Sequence, residues 1–179
     1  MQLDRPTPPS PHDFLPPVPS FTVTSTDVRE GVRMGNAFLF GGWGMTGGNI
    51  SPQLAWSGAP AGTKSFAVTL LDLDAPTGSG FWHWILIDVP ATTTNLAQGA
   101  GARGGAGAGA IHLRNDFGEH AYGGPAPPKG DRPHRYMSAV HALNVEKLGI
   151  DASASAAVAG FSMMFHTLAR RAGPGLRRS

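Results

Sequence analysis

The chain contains no cysteine among its 179 residues. That excludes disulfides, cysteinate metal sites and thiol nucleophiles, and it fits a reducing cytosol. No stretch approaches the roughly 18 consecutive apolar residues that a bilayer-spanning helix needs, so no transmembrane segment is expected. The opening MQLDRPTPPSPHDFLPPVPS lacks the basic start and apolar run of a secretory signal. A soluble, cytoplasmic protein is the resulting expectation. Basic residues interleaved with aromatics, the footprint of a nucleic-acid binder, are missing too. The formal net charge is +2, yet Arg170, Arg171, Arg177 and Arg178 alone bring four positives. The rest of the chain is therefore net acidic, and the basic end reads as a solvated tail with no role toward nucleic acid. No G-x-S-x-G elbow and no HxH or HxxxH pair specifies a hydrolase or a metal site.

What is present is uneven along the chain. The length fits one domain. Seven prolines in the first 20 residues remove backbone donors and predict an extended arm over 1–20. FTVTSTDV (21–28) alternates Phe21, Val23 and Ser25 with threonines, as a half-buried strand does. Residues 38–49 carry five glycines and read as an aromatic-bearing loop, with Phe38, Phe40 and Trp43 available as a contact surface. SFAVTLLDLD (65–74), HWILIDV (83–89) and RYMSAVHALNV (135–145) are the strongest strands. Residues 99–110 are a glycine/alanine stretch containing Gly99-x-Gly101-x-x-Gly104. A dinucleotide site needs a helix directly after such a motif, and more glycine follows instead, so a flexible loop is expected. One helix is predicted, capped by Asp151 or Ser153, with Val158, Phe161, Phe165 and Leu168 on its apolar face. Met163 and Met164 read as core. Arg170 and Arg171 suit the helix C-terminus, and Gly173-Pro174 stops it. Several strands with a single helix argue for a mainly β, antiparallel core with a peripheral helix.

The chemistry sits at strand ends. Alternation puts Asp72 in line with Phe66, Val68 and Leu70, and His83 in line with Ile85 and Ile87. If the two strands pair around APTGSGFW, Asp72 and His83 approach at one end of a sheet. A second cluster, YGGPAPPKGDRPHRY (122–136), is a stiff loop delivering His134 and Tyr136 to the head of the third strand. Each residue also has a structural explanation: a strand-mouth histidine, a turn-forming Asp, or Arg135 as a bracing ion pair. Asp72, His83 and His134 are a chemically allowed two-histidine, one-carboxylate metal set, but their spacing does not support one, and no metal or cofactor is expected.

Together, DLDAP followed by a WH strand and GGPAPPKGDRPHRY resemble the phosphatidylethanolamine-binding proteins, in particular their bacterial Raf-kinase-inhibitor-like branch. The matching stretches are 47–91, 115–143 and the helix ending FSMMFHTLAR (161–170). The resemblance implies a large central antiparallel sheet, a smaller second sheet and a few peripheral helices, forming one domain over 21–172 between the arm and a tail at 173–179. It also implies an anion pocket built from Asp72, Pro76, His83, His134 and Tyr136, with the Gly124–Pro128 backbone as a wall, and a cis Ala75-Pro76 bond. The chain departs from the family pattern at Leu73, where proline is usual, at Ala126, where many relatives carry cysteine, and at its C-terminus.

In such a pocket His83 and His134 both donate to an anion and titrate near neutral pH. Tyr136 adds a hydroxyl, Asp72 orients an imidazole, and Trp84 lowers the local dielectric. The expected function is binding of a small anionic ligand, a phosphate-bearing head group or a carboxylate. The same four residues, Asp72, His83, His134 and Tyr136, also form an acid–base set for an enzyme such as a cyclase, dehydratase or hydrolase. Inhibition of a protease or kinase is the third reading, and a homodimer is implied by the bacterial relatives.

Overall fold

Apolar residues occupy both parities of SFAVTLLD, and the strand they form, β3 (Ser65–Asp72), is buried at every position. A strand buried on both faces needs a layer on each side. The computed structural model, which describes residues 4–178, supplies both layers. Around β3 lies a five-stranded antiparallel sheet, ordered β6 (Ile111–His112), β4 (Phe81–Pro90), β3, β7 (His134–Leu143) and β8 (Thr167–Arg178). A smaller antiparallel sheet is ordered β1 (Thr22–Thr24), β2 (Leu54–Ser57) and β5 (Asn95–Leu96).

The main core fills the space between the sheets. Leu54, Trp56 and Leu96 from the small sheet meet Phe66, Val68, Leu70, Trp84, Leu86 and Val140 from the large one. The opposite face of the large sheet buries Ala67, Ile85, Ile87 and Leu143 against Leu113, Leu148 and the helix α1 (Ala156–His166). The proline-rich arm shares that face. It makes one 3₁₀ turn, Pro11–Phe14, capped by the Ser10 hydroxyl accepting from the His12 N–H. The His12 ring stands edge-on to His141 of β7, and the Arg170 N–H donates to Pro19 O.

The helix differs from its sequence pattern. Its cap is Ser155, whose hydroxyl accepts from Val158 N at 3.2 Å, while Asp151 and Ser153 bond each other. The buried positions are Ala159 and Met163, whereas Phe161 is 65% exposed and Phe165 60%. A small Ala159 lets the helix backbone approach the sheet, and the aromatic face turns outward. The helix stops at His166, and Leu168, Arg170 and Arg171 lie on β8 because the edge of β7 offers ladder partners that outweigh local helix propensity. The 99–110 stretch forms no regular element, as expected, but it is anchored. Gly101 N donates to the Ser51 hydroxyl, and a Cβ on Gly101 would sit 2.5 Å from Tyr122 Cβ. Among the described residues no helix is long and apolar enough to cross a membrane.

This packing separates two residues that the sequence pattern treats alike. Leu86→Ala is expected to lower stability by about 2–5 kcal/mol and Phe161→Ala to change it by no more than about 0.5 kcal/mol, measured by urea denaturation. Comparable losses at both positions would place Phe161 in the core after all.

Candidate functional site

Simple alternation would put His83 on the face of Ile85 and Ile87, away from Asp72. A bulge changes that. Leu70 pairs with Trp84 and Leu71 with Trp82, leaving His83 as an extra residue in β4. An inserted residue breaks the two-residue period, so His83 turns to the same side as Trp84. That is the face of Leu70 and Asp72. On the other flank Asp72 stands directly opposite Tyr136, and His134 lies two residues along β7 on the same side. The sequence stretches thus converge as expected, but by a bulge and not by alternation.

They meet at a cavity of about 190 Å³ lined by Asp72, Ala75, Pro76, Thr77, Phe81, His83, Phe117, Ala126, Pro128, His134 and Trp43. Five of the residues expected from sequence, Asp72, Pro76, His83, Pro128 and His134, are among these. Tyr136 is fully buried behind them, its ring 5.2 Å from that of His83 and 6.3 Å from that of His134. Gly124 does not line the cavity directly, but its backbone is a hydrogen-bond partner of the His83 ring. The Gly124 N–H donates to Asn49 Oδ1, and a Cβ there would lie 2.4 Å from Phe38 O, so glycine is needed for the loops to touch. The Ala75-Pro76 bond is trans, as are all peptide bonds of the described chain, which corrects the cis expectation. Trp84 is also not a cavity residue. It is buried between the sheets with Nε1 donating to His112 Nδ1. The aromatic walls are Trp43, Phe81 and Phe117 instead, with Phe117 stacked on Phe40 at 4.1 Å. Trp43 is 71% exposed and holds φ at +54°, a left-handed backbone that costs a bulky residue about 1–3 kcal/mol.

The two imidazoles are not equivalent. His83 Nδ1 donates to Gly123 O at 2.8 Å. Burial pushes its pKa down, against the opposing charge of Asp72 and hydrogen bonds to the Gly123 and Gly124 backbone, and the ring is neutral. His134 is held at both nitrogens: Nδ1 is 2.7 Å from Asp72 Oδ2, and Nε2 is 3.1 Å from Asp131 Oδ2. An ionised carboxylate only accepts, so with both carboxylates charged both nitrogens carry protons and the ring is an imidazolium. Burial alone would lower its pKa, but the hydrogen bonds and charges of Asp72 and Asp131 outweigh burial and raise it. Both His134 nitrogens face protein carboxylates, and the ring also lines the cavity, where the sequence reading has it donating to a ligand. Asp74 plays no part in the cavity. Burial works against its ionisation, but it accepts from Arg135 N and Nε, both at 2.8 Å, which keeps it charged and braces the head of β7. Among the described residues no three histidine or acidic side chains are grouped to hold a metal ion.

Sequence reasoning missed Phe81, Phe117, Thr77 and Asp131. Asp131 was legible in GDRPH, three residues before His134. Nothing local marked the other three.

Comparison with known proteins places this geometry. The phosphatidylethanolamine-binding protein family model matches residues 24–175. The Escherichia coli protein YbhB is 50% identical over 146 residues, covering 81% of this chain and 92% of its own length. YbcL of the same organism is 47% identical over 152 residues, 84% of this chain and 83% of that protein. The crystal structure of YbcL, described as a member of the mammalian PEBP family, superposes with a TM-score of 0.81 at 48% identity, covering 84% and 93% of the two chains. A homologue from Chlamydia trachomatis gives a TM-score of 0.70 at 26% identity, covering 84% and 92%.

The His134 pairing makes a signed prediction. Its raised folded pKa contributes stability that is complete below the ordinary histidine value of about 6.5 and fades as pH rises through the folded pKa. The stability lost in His134→Gln is therefore expected to be larger at pH 6 than at pH 9. Equal losses at both pH values, from chemical denaturation, would mean that the ring is neutral in the folded protein.

Proposed function

The chain belongs to the phosphatidylethanolamine-binding protein family, and we propose that its cavity binds a small anionic ligand, a phosphate-bearing head group or a carboxylate. One observation carries this reading. His83 lines a half-open, aromatic-walled cavity and its Nδ1 donates to Gly123 O, so Nε2 is the imidazole nitrogen this reading assigns to a ligand. Because burial keeps that ring neutral, an oxyanion is taken up together with a proton. Either the ligand arrives protonated and donates to Nε2, or the imidazole gains the proton and donates. The bound composition is the same in both cases.

Asp72 does not oppose this, because its carboxylate is neutralised by the His134 imidazolium. The aromatic walls lower the local dielectric and strengthen the one proton-sharing contact. A volume near 190 Å³ lies below the usual range for drug-sized ligands, about 300–1,000 Å³. It suits a head group, with the rest of any larger molecule outside.

Calorimetric titration with O-phosphorylethanolamine at pH 6 and pH 8, with acetate in parallel, tests the reading. One linked proton weakens binding by up to about tenfold per pH unit above the relevant pKa, so affinity is expected to drop at least tenfold across this interval. His83→Ala is expected to remove binding. Affinity that ignores pH, or that survives loss of His83, contradicts the proposal.

A further inference from the structure

The arm lies outside the segment matched by the family model, which begins at residue 24. Three bonds from the head of β7 fasten it to the site. Arg132 donates to Arg5 O at 2.8 Å and to Pro6 O at 3.0 Å, and Arg135 donates to Pro8 O at 2.8 Å. The Arg5 side chain then turns inward. Its two terminal nitrogens grip the Asp131 carboxylate at 3.1 and 2.8 Å, and one of them also donates to Asp74 O. The Asp131 side chain is wholly buried, while that of Arg5 is 19% exposed. The oxygen nearest Arg5, Asp131 Oδ2, is the one that accepts from His134 Nε2.

We propose that Arg5 is a positioning residue of the pocket: its two-pronged grip holds Asp131 on His134 Nε2 and keeps that N–H turned away from the ligand. The inference rests on the cavity being the binding site, and it adds a segment far away in sequence to the control of that site. Asp131 has somewhere else to go. It also lines an open groove of about 670 Å³ between residues 44–47 and 127–132. Its Oδ1 also accepts from Arg132 N at 2.8 Å, in the loop that borders this groove. Without Arg5, one cation that offsets the cost of burying this carboxylate is gone, and the groove becomes the better place for it.

The alternative is that Arg5 acts on His134 only as a nearby charge. Arg5 and His134 are cations 3.4 Å apart, bridged by Asp131. Direct repulsion depresses the pKa of His134, whereas holding Asp131 in place raises it. The two roles therefore have opposite signs. The groups facing His134 are Asp72 from β3, Asp131 from the preceding loop, Arg5 from the arm, and Tyr136 on its own strand with neutral His83 beyond it.

NMR titration of the His134 imidazole in the full-length protein, without ligand, separates them. In Arg5→Ala the His134 pKa is expected to fall by about one unit or more, the usual effect of losing an adjacent carboxylate. In an Asp131→Asn background the same substitution is expected to add no further fall. A rise, no change, or an equal fall in both backgrounds overturns the proposal. Because no ligand is present, a failed phosphorylethanolamine titration beside a clear His134 shift would remove the ligand reading and leave the role of Arg5 standing.

Discussion

A buried imidazolium shared by two carboxylates organises this end of the molecule. His134 ties β3 through Asp72 and the 127–132 loop through Asp131. Each pairing makes the others tolerable. A carboxylate taken out of water costs several kcal/mol unless it is paired and hydrogen-bonded, and Asp72 and Asp131 are both almost completely buried. The same arrangement turns both His134 nitrogens to protein carboxylates, while His83 meets the cavity with Nδ1 held by Gly123 O.

The cavity is built by departures from regularity. An ideal two-residue period in β4 would have sent His83 to the opposite face, among Ile85 and Ile87. The register shift beside Leu70 brings it back. A second shift lies between Phe66 and Val68, opposite Asp88, whose φ of +56° marks the irregularity and whose side chain accepts from Leu148 N. Trp43, also at positive φ, puts an exposed indole over the cavity mouth. Strained backbone clusters where side chains must be aimed, and the aim here is at a small, largely apolar space lined by two imidazoles.

Much of this was legible beforehand, for identifiable reasons. The strands of the large sheet stood out because apolar β-branched and aromatic residues cluster there between proline- and glycine-rich turns. The two motif stretches carried the family, and the resemblance put Asp72, His83 and His134 in one pocket. The helix face was misread because Phe161 and Phe165 have helical spacing without being buried. Periodicity reports which residues share a face, not what that face meets. The expected cis proline and the expected cavity role of Trp84 both failed against local geometry that neighbouring chain segments impose.

By itself, the sequence determined a mainly β chain without thiol chemistry, with acids and histidines at the ends of neighbouring strands. Local composition sets strand propensity and residue chemistry, and both can be read along the chain. Only the tertiary structure decided which histidine is charged, because that depends on burial and on partners from other segments. Arg5 shows this most clearly. Nothing near it in sequence marks it, yet folding sets it against Asp131, 126 residues away.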